Sequence, residues 1–292
     1  MKIRVSVFTF VLIGVLAFAS AGFAQDAVAT NPGETVITLD NGVVGTLNMP
    51  DSDSPIPVVL MLHGFASSRN EVGDMYLRLA AALAARGIGS LRIDFRGWGE
   101  SAGGMENSTV TGMVEDAALA YAYLSALEGV DTSRIGILGF SLGGGITVFS
   151  AGENPDAYRS MALWSTFGSL HDIFIEELGQ DNFDAAAANG QVDIDLGWRM
   201  VTLGSGFFTS LDAFDYQTEF PLYHGSLMVI AGSEDGSADF LDWYRENAQG
   251  AIRASYLVPG GDHIYGVLTE DQTLANAVID ATAAWFDMTL GG

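Results

Sequence analysis

Short apolar runs alternate with longer amphipathic stretches along most of this chain, and the two periodicities predict different elements. Strands are expected over residues 57–62, 88–93, 134–138, 158–164, 227–230 and 252–258, and helices over residues 72–86, 110–127, 142–151, 238–248 and 269–288. Strands this uniformly apolar must be covered on both faces. Their alternation with helices therefore implies an α/β domain whose sheet is mostly parallel, with helices on either side. Ahead of it, residues 35–39 and 43–49 flank Asp40-Asn41-Gly42 and read as a hairpin, with Asp51-Ser52-Asp53-Ser54-Pro55 as the loop into the first buried strand.

The rhythm breaks between residues 164 and 227. A crossover helix needs far fewer residues than the stretch of about 165–225, and an unstructured loop of that size is implausible in a compact domain. The stretch holds Phe167, Phe174, Phe183, Trp198, Phe207, Phe208, Phe214, Tyr216, Phe220 and Tyr223. We expect a small cap inserted after the sixth strand, its aromatics divided between its own core and a substrate pocket. Residues 181–188 and 191–195 read as polar, mobile segments that could gate access.

Chemistry enters at Gly139-Phe140-Ser141-Leu142-Gly143, directly between the predicted strand at 134–138 and the predicted helix at 142–151. A serine hydroxyl is a poor nucleophile until something aims it. A sharp strand-to-helix turn does so, and glycine two positions to either side removes the Cβ atoms that would clash in the tight backbone. Such a serine needs a base, an acid to orient the base, and donors for an oxyanion. Asp235 follows the apolar run Leu227-Met228-Val229-Ile230, and His263 follows Ala254-Ser255-Tyr256-Leu257-Val258. Each falls on a loop at the carboxyl end of a predicted strand, where open α/β sheets gather their functional residues. Leu142 offers one oxyanion amide and Phe65 the other, at the end of the buried run 57–62 and after His63-Gly64.

These segments resemble the α/β-hydrolase superfamily. The resemblance rests on His63-Gly64-Phe65 with Ser67-Ser68-Arg69-Asn70-Glu71, on Asp94-Phe95-Arg96-Gly97-Trp98-Gly99-Glu100-Ser101, on the serine turn, on Gly232-Ser233-Glu234-Asp235 and on Asp262-His263. The chain order Ser, Asp, His is the one this resemblance implies. More narrowly the chain is similar to cinnamoyl/feruloyl esterase-like serine esterases and their acyl-peptidase relatives. It departs from them at Trp98, commonly His there, which bears on loop packing, and at Leu142, often Gln in cinnamoyl esterases. The resemblance implies a triad of Ser141, His263 and Asp235, an acyl-enzyme, and no cofactor.

Other polar residues read as architecture. His63 precedes the serine strand in the wrong order for the base, Asp94 and Arg96 read as a structural turn, and His171 and His224 as surface or packing residues. Glu234 is the fallback acid, and Asp262 could orient a loop. No His/Asp/Glu cluster has metal-ligand spacing, and no phosphate-binding glycine motif follows a first strand.

Composition changes the picture twice. Lys2 and Arg4 precede an apolar stretch at residues 5–19, with small residues at Ala19-Ser20-Ala21 and Gly22-Phe23-Ala24, so residues 1–24 read as a cleaved signal peptide and residues 25–292 as one secreted or periplasmic domain without a stable membrane anchor. Cysteine is absent, which excludes a thiol nucleophile, a lipoprotein anchor and disulfides. With 12 Lys and Arg against 36 Asp and Glu the net charge is −24, and Lys2 is the only lysine. Such a surface repels nucleic acid and anionic membranes. It fits either an acidic secreted protein or one adapted to salt, where the repulsion is screened. The expected partner is a small-molecule ester, the alternative reaction being peptide or amide hydrolysis.

Overall fold

The computed structural model describes residues 30–291. The proposed signal segment at residues 1–24 lies outside the described residues. In chain order the elements are β1 (Thr35–Thr38), β2 (Val44–Asn48), β3 (Ile56–Leu62), α1 (Met75–Ala84), β4 (Gly89–Ile93), α2 (Val110–Ala126), β5 (Val130–Phe140), α3 (Leu142–Glu153) and β6 (Ser160–Trp164). They continue with α4 (Leu170–Leu178), α5 (Gln180–Asn189), β7 (Gln191–Asp195), β8 (Met200–Gly204), α6 (Ser205–Ser210), α7 (Tyr216–Glu219), β9 (Ser226–Gly232), α8 (Leu241–Asn247), β10 (Arg253–Val258) and α9 (Thr273–Leu290).

Eight strands form one sheet in the order β1-β2-β4-β3-β5-β6-β9-β10. The pairs from β4 through β10 are parallel, and only the β1–β2 and β2–β4 pairs are antiparallel. Every residue of β3 is buried. Along it the pleat sends Val58, Leu60 and Leu62 into one core and Val59 and Met61 into the other, so its unbroken apolar run serves two faces at once. Helices α1 and α9 cover the second of these cores, and α2 and α3 the first.

Burial on α1 falls at Met75, Tyr76, Leu79, Ala80 and Leu83, the stripe expected of a helix lying on a sheet. Helix α3 is instead buried from Leu142 through Gly152. It has no solvent face, which explains why its sequence carries so little polarity. Helix α2 starts where the Thr109 side chain accepts the Gly112 N–H (2.9 Å).

The order β4-β3-β5 sets the position of the site. From β3 the chain goes to one side to make β4, then returns past β3 to make β5, and the loops leaving β3 and β5 diverge from adjacent strands. Such a switch point opens a crevice at the carboxyl ends of the strands. Here it brings together the strand ends that lead to Phe65 and Leu142, since Leu62 pairs with Gly139.

The structure moves several expected boundaries. Helix α1 begins at Met75 instead of residue 72 because Gly73 (φ 57°) and Asp74 (φ 55°) interrupt helical geometry. Strand β5 starts four residues early, where Val130 pairs with Ile56 before the register shifts. Residues 165–225, between the neighbouring strands β6 and β9, carry α4 to α7 and the two-stranded β7–β8 ribbon. Residues 181–188, expected as a polar mobile stretch, lie within helix α5, and Gln191–Asp195 is β7. The paired register Asp193 with Thr202 and Ile194 with Val201 gives the ribbon an order that its polarity conceals.

Candidate active site

Ser141 sits between the last residue of β5 and the first of α3 with φ 52° and ψ −117°. A non-glycine residue is strained there, at a cost of order 1–3 kcal/mol. The surroundings enforce it: the Ser141 N–H donates to Trp164 O (2.8 Å), and the Gly144 N–H returns to Ser141 O (2.9 Å). A Cβ at Gly143 would collide with the carbonyl groups of Leu62 and His63, and one at Gly139 with the Gly143 carbonyl. The two glycines therefore let the serine turn press against the end of β3.

His263 lies on the loop after β10, and its Nδ1 is 3.1 Å from Oδ2 of Asp235, on the loop after β9. The ring stands between Phe140, the residue before Ser141 (centroids 5.1 Å apart), and Phe167, which stacks on it (5.7 Å, 19° between planes). With Nδ1 donating to Asp235, Nε2 is the nitrogen left to exchange a proton. Asp235 is buried, whereas Glu234, the fallback acid, is exposed and uses its N–H on Gly261 O (2.9 Å).

Electrostatics polarise the pair. Burial pushes the Asp235 carboxyl up, but the hydrogen bond and charge of His263, helped by Ser237, hold it below the usual Asp value. Burial pulls His263 down, and the Asp235 hydrogen bond and charge, with Glu177 and Glu71, outweigh this and lift it above the ordinary His value. The imidazole thus stabilises a positive charge well, and becomes an acceptor only as pH rises past that lifted value.

The His263 loop has supports that sequence reasoning did not single out. Ser165 Oγ donates to His263 O (2.9 Å) and lies 2.9 Å from the Tyr265 hydroxyl, which donates to Ile230 O (3.2 Å). Both Ser165 (φ 45°) and Tyr265 (φ 56°) are buried residues in left-handed conformations. Ser165, expected only to open the insertion, therefore buttresses the base. Asp262 accepts from the Ile264 (3.1 Å) and Gly266 (2.8 Å) amides, in the loop-orienting role expected of it.

Glu71 organises the loop after β3. Its carboxylate accepts the Gly64 N–H (2.6 Å), the Ser67 hydroxyl (2.7 Å) and its own neighbour Val72 N–H (2.9 Å). His63 is occupied at both nitrogens, Nε2 accepting the Phe95 N–H (3.2 Å) and Nδ1 donating to Gly64 O (2.8 Å), so it serves the loop and is no base. Leu142 opens α3, where the first amides have no acceptor within the helix. Fully buried Asp94 accepts the Arg69 N–H (2.6 Å), the Arg69 guanidinium and the Glu100 N–H (2.9 Å), the structural part expected of it. Arg69 also pairs with Glu100, so it is loss of the Arg69 side chain that would strip buried Asp94 of its counter-charge, at about 3–5 kcal/mol.

Residues of the insertion reach the same crevice. Phe65 is walled by Trp98 (5.6 Å), Phe174 (5.0 Å) and Phe207 (5.8 Å), so Trp98 does act in loop packing. Glu177, one turn beyond Phe174 on α4, keeps contact with solvent, yet partial desolvation raises its carboxyl, with the positive His263 opposing and the negative Asp235 adding to the shift. Glu177→Gln should accordingly lower the pH at which kcat/KM begins its acid-side fall, because it removes a negative charge that favours protonated His263. An acid limb that stayed in place or moved upward would show that Glu177 does not act on the imidazole. His171 pairs instead with Asp212 (2.7 Å), and His224 is exposed.

Among the described residues no group of three or more His, Asp or Glu is placed to hold a metal ion, and no helix is long and apolar enough to cross a membrane.

Comparison with known proteins matches residues 53–196 to the family model described as serine aminopeptidase, S33. That stretch contains Phe65 and the serine turn and ends before Asp235 and His263. An uncharacterised 31.7 kDa protein of Escherichia coli is 33% identical over 142 residues, 49% of this chain and 48% of that one. A lysophosphatidylserine lipase of Xenopus tropicalis is 37% identical over 119 residues, 40% of this chain and 29% of that one. The chain spans about half the length, or less, of these curated relatives. Among solved structures, Est1E from Butyrivibrio proteoclasticus with ferulic acid bound superposes with a TM-score of 0.73 at 18% identity, over 88% of this chain and 100% of that one. Strand order, the serine turn at the switch point and the structural match together show that the chain has the α/β-hydrolase fold.

Proposed function

We propose that this hydrolase is an exported serine esterase that cleaves small or aromatic carboxylic esters through an acyl-enzyme, the insertion at residues 165–225 acting as its cap. The observation that carries the reading is a strained Ser141 at the β5–α3 turn, next in sequence to Phe140, whose ring packs on a His263 already hydrogen-bonded to buried Asp235. His263 Nε2 takes the hydroxyl proton as Ser141 Oγ bonds to the ester carbonyl carbon, and Asp235 stabilises the imidazolium. The oxyanion receives the Phe65 and Leu142 amides. His263 then gives its proton to the departing alkoxide oxygen as the C–O bond breaks. Water enters, loses a proton to His263 and attacks the acyl carbon, and the carboxylic acid leaves as Ser141 recovers its proton.

Of the three rings Phe65, Phe174 and Phe207, which meet at 5.0–5.8 Å, Phe65 alone is partly exposed, and its apolar face, backed by the other two, suits an aromatic acyl group. The ferulic acid bound to Est1E supports that substrate class by analogy of fold. A panel of nitrophenyl esters, methyl ferulate and an aminoacyl anilide tests the reading. Esters should be turned over with kcat/KM well above that of the anilide, and an anilide that reacted faster than every ester would make the protein a peptidase.

A further inference from the structure

Residues 165–225 contain a single Lys or Arg, Arg199, among many carboxylates, yet among the described residues it forms no ion pair. It sits at the turn joining β7 to β8, where the Leu196 N–H donates to Arg199 O (2.9 Å) and Gly197 takes φ 83°. From that turn its guanidinium crosses to the main domain. One terminal nitrogen, Nη1, donates to the carbonyl of Ala66 (2.8 Å), and Cζ lies 5.7 Å from the centroid of the Trp98 ring.

Both contacts bear on Phe65. Ala66 is the next residue, buried and left-handed at φ 56°, a conformation an alanine holds only when its surroundings enforce it. Trp98 packs edge-on against the Phe65 ring and is itself fixed by its Nε1–H donating to Ser108 Oγ (2.8 Å). Glu71 holds the His63–Gly64 peptide through the Gly64 N–H, and Arg199 holds the Ala66–Ser67 peptide through the Ala66 carbonyl, so the backbone is pinned one residue to either side of Phe65. A charge-assisted hydrogen bond to a carbonyl is stronger and shorter than a neutral one, and a guanidinium plane suits an indole face.

We propose that Arg199 is a positioning residue for the oxyanion loop, tying the inserted ribbon to the Phe65–Ala66 backbone so that the Phe65 amide is aimed only when the ribbon is seated. This rests on the esterase reading above, and its test separates the two. The rate at which a small fluorophosphonate labels Ser141 reads the oxyanion donors without needing the natural substrate.

Arg199→Met should slow phosphonylation at least about tenfold, short of the roughly 10²–10³-fold loss that follows removal of an oxyanion donor itself. It should lower kcat for an acetate ester by a similar factor with KM little changed. Arg199→Lys, which keeps a cationic donor for the Ala66 carbonyl, should fall between wild type and Arg199→Met. If Arg199→Met does not fold, Arg199→Gln takes its place with the same expectation. A folded variant lacking the guanidinium that is phosphonylated at the wild-type rate, or one that changes KM alone, overturns the proposal while leaving the esterase reading intact. A wild-type protein that the phosphonate does not label contradicts the esterase reading instead.

Discussion

Ser141→Ala and His263→Ala should each lower kcat by about four to six orders of magnitude while the fold is kept, and the double variant should be hardly worse than either single one. The reason lies in how the two residues share one task. The hydroxyl is aimed by the left-handed turn at φ 52°, but it attacks only if the imidazole takes its proton. Every proton that the imidazole, flanked by Phe140 and Phe167, moves belongs to making or breaking the acyl bond to Ser141. Deleting one therefore idles the other. Initial rates on a nitrophenyl ester, with thermal melts to verify folding, measure the effect. More than a few per cent of wild-type kcat in Ser141→Ala would assign the nucleophile elsewhere.

Asp235→Asn should cost about 10⁴ in kcat, with KM changed far less. The Asp235 carboxylate accepts from Nδ1 of His263, which keeps the proton on that nitrogen and leaves Nε2 free to accept. An amide can present its NH2 to Nδ1 and favour the opposite tautomer, with Nε2 protonated and useless as a base. Glu234→Gln should alter turnover little, because Glu234 is exposed while Asp235 holds the imidazole, and exposed substitutions of this kind usually shift stability by less than about 0.5 kcal/mol. Steady-state kinetics of the two variants side by side decide between the carboxylates. The reverse ranking would make Glu234 the acid.

Much of this architecture is written in periodicity. Strands buried on both faces must be apolar almost throughout, so β3 and β6 stand out, and the serine turn is bounded by glycines, Gly143 making room for the end of β3 and Gly139 for the Gly143 carbonyl. Asp235 and His263 are legible because each lies on a short loop that follows an apolar run. The supports are not. Glu71, Ser165 and Tyr265 act through backbone groups brought to them by the fold, and a polar residue in an irregular loop has no repeat that announces its partner. In β7 the apolar Val192 and Ile194 do alternate with exposed Gln191, Asp193 and Asp195, but five residues with three polar ones are too short a run to separate a strand from a polar loop. Arg199 could be noticed in the sequence as the insertion's one strong cation, but only the folded ribbon shows that it reaches a carbonyl beside Phe65.

The central claim is that Ser141 is an activated nucleophile, and mass spectrometry of protein treated with a fluorophosphonate tests it most directly. The account predicts a single phosphonyl adduct on the peptide carrying Ser141, formed faster as pH rises through the His263 titration and absent from Ser141→Ala. A folded wild-type protein with no adduct, or with its adduct on another residue, would contradict it.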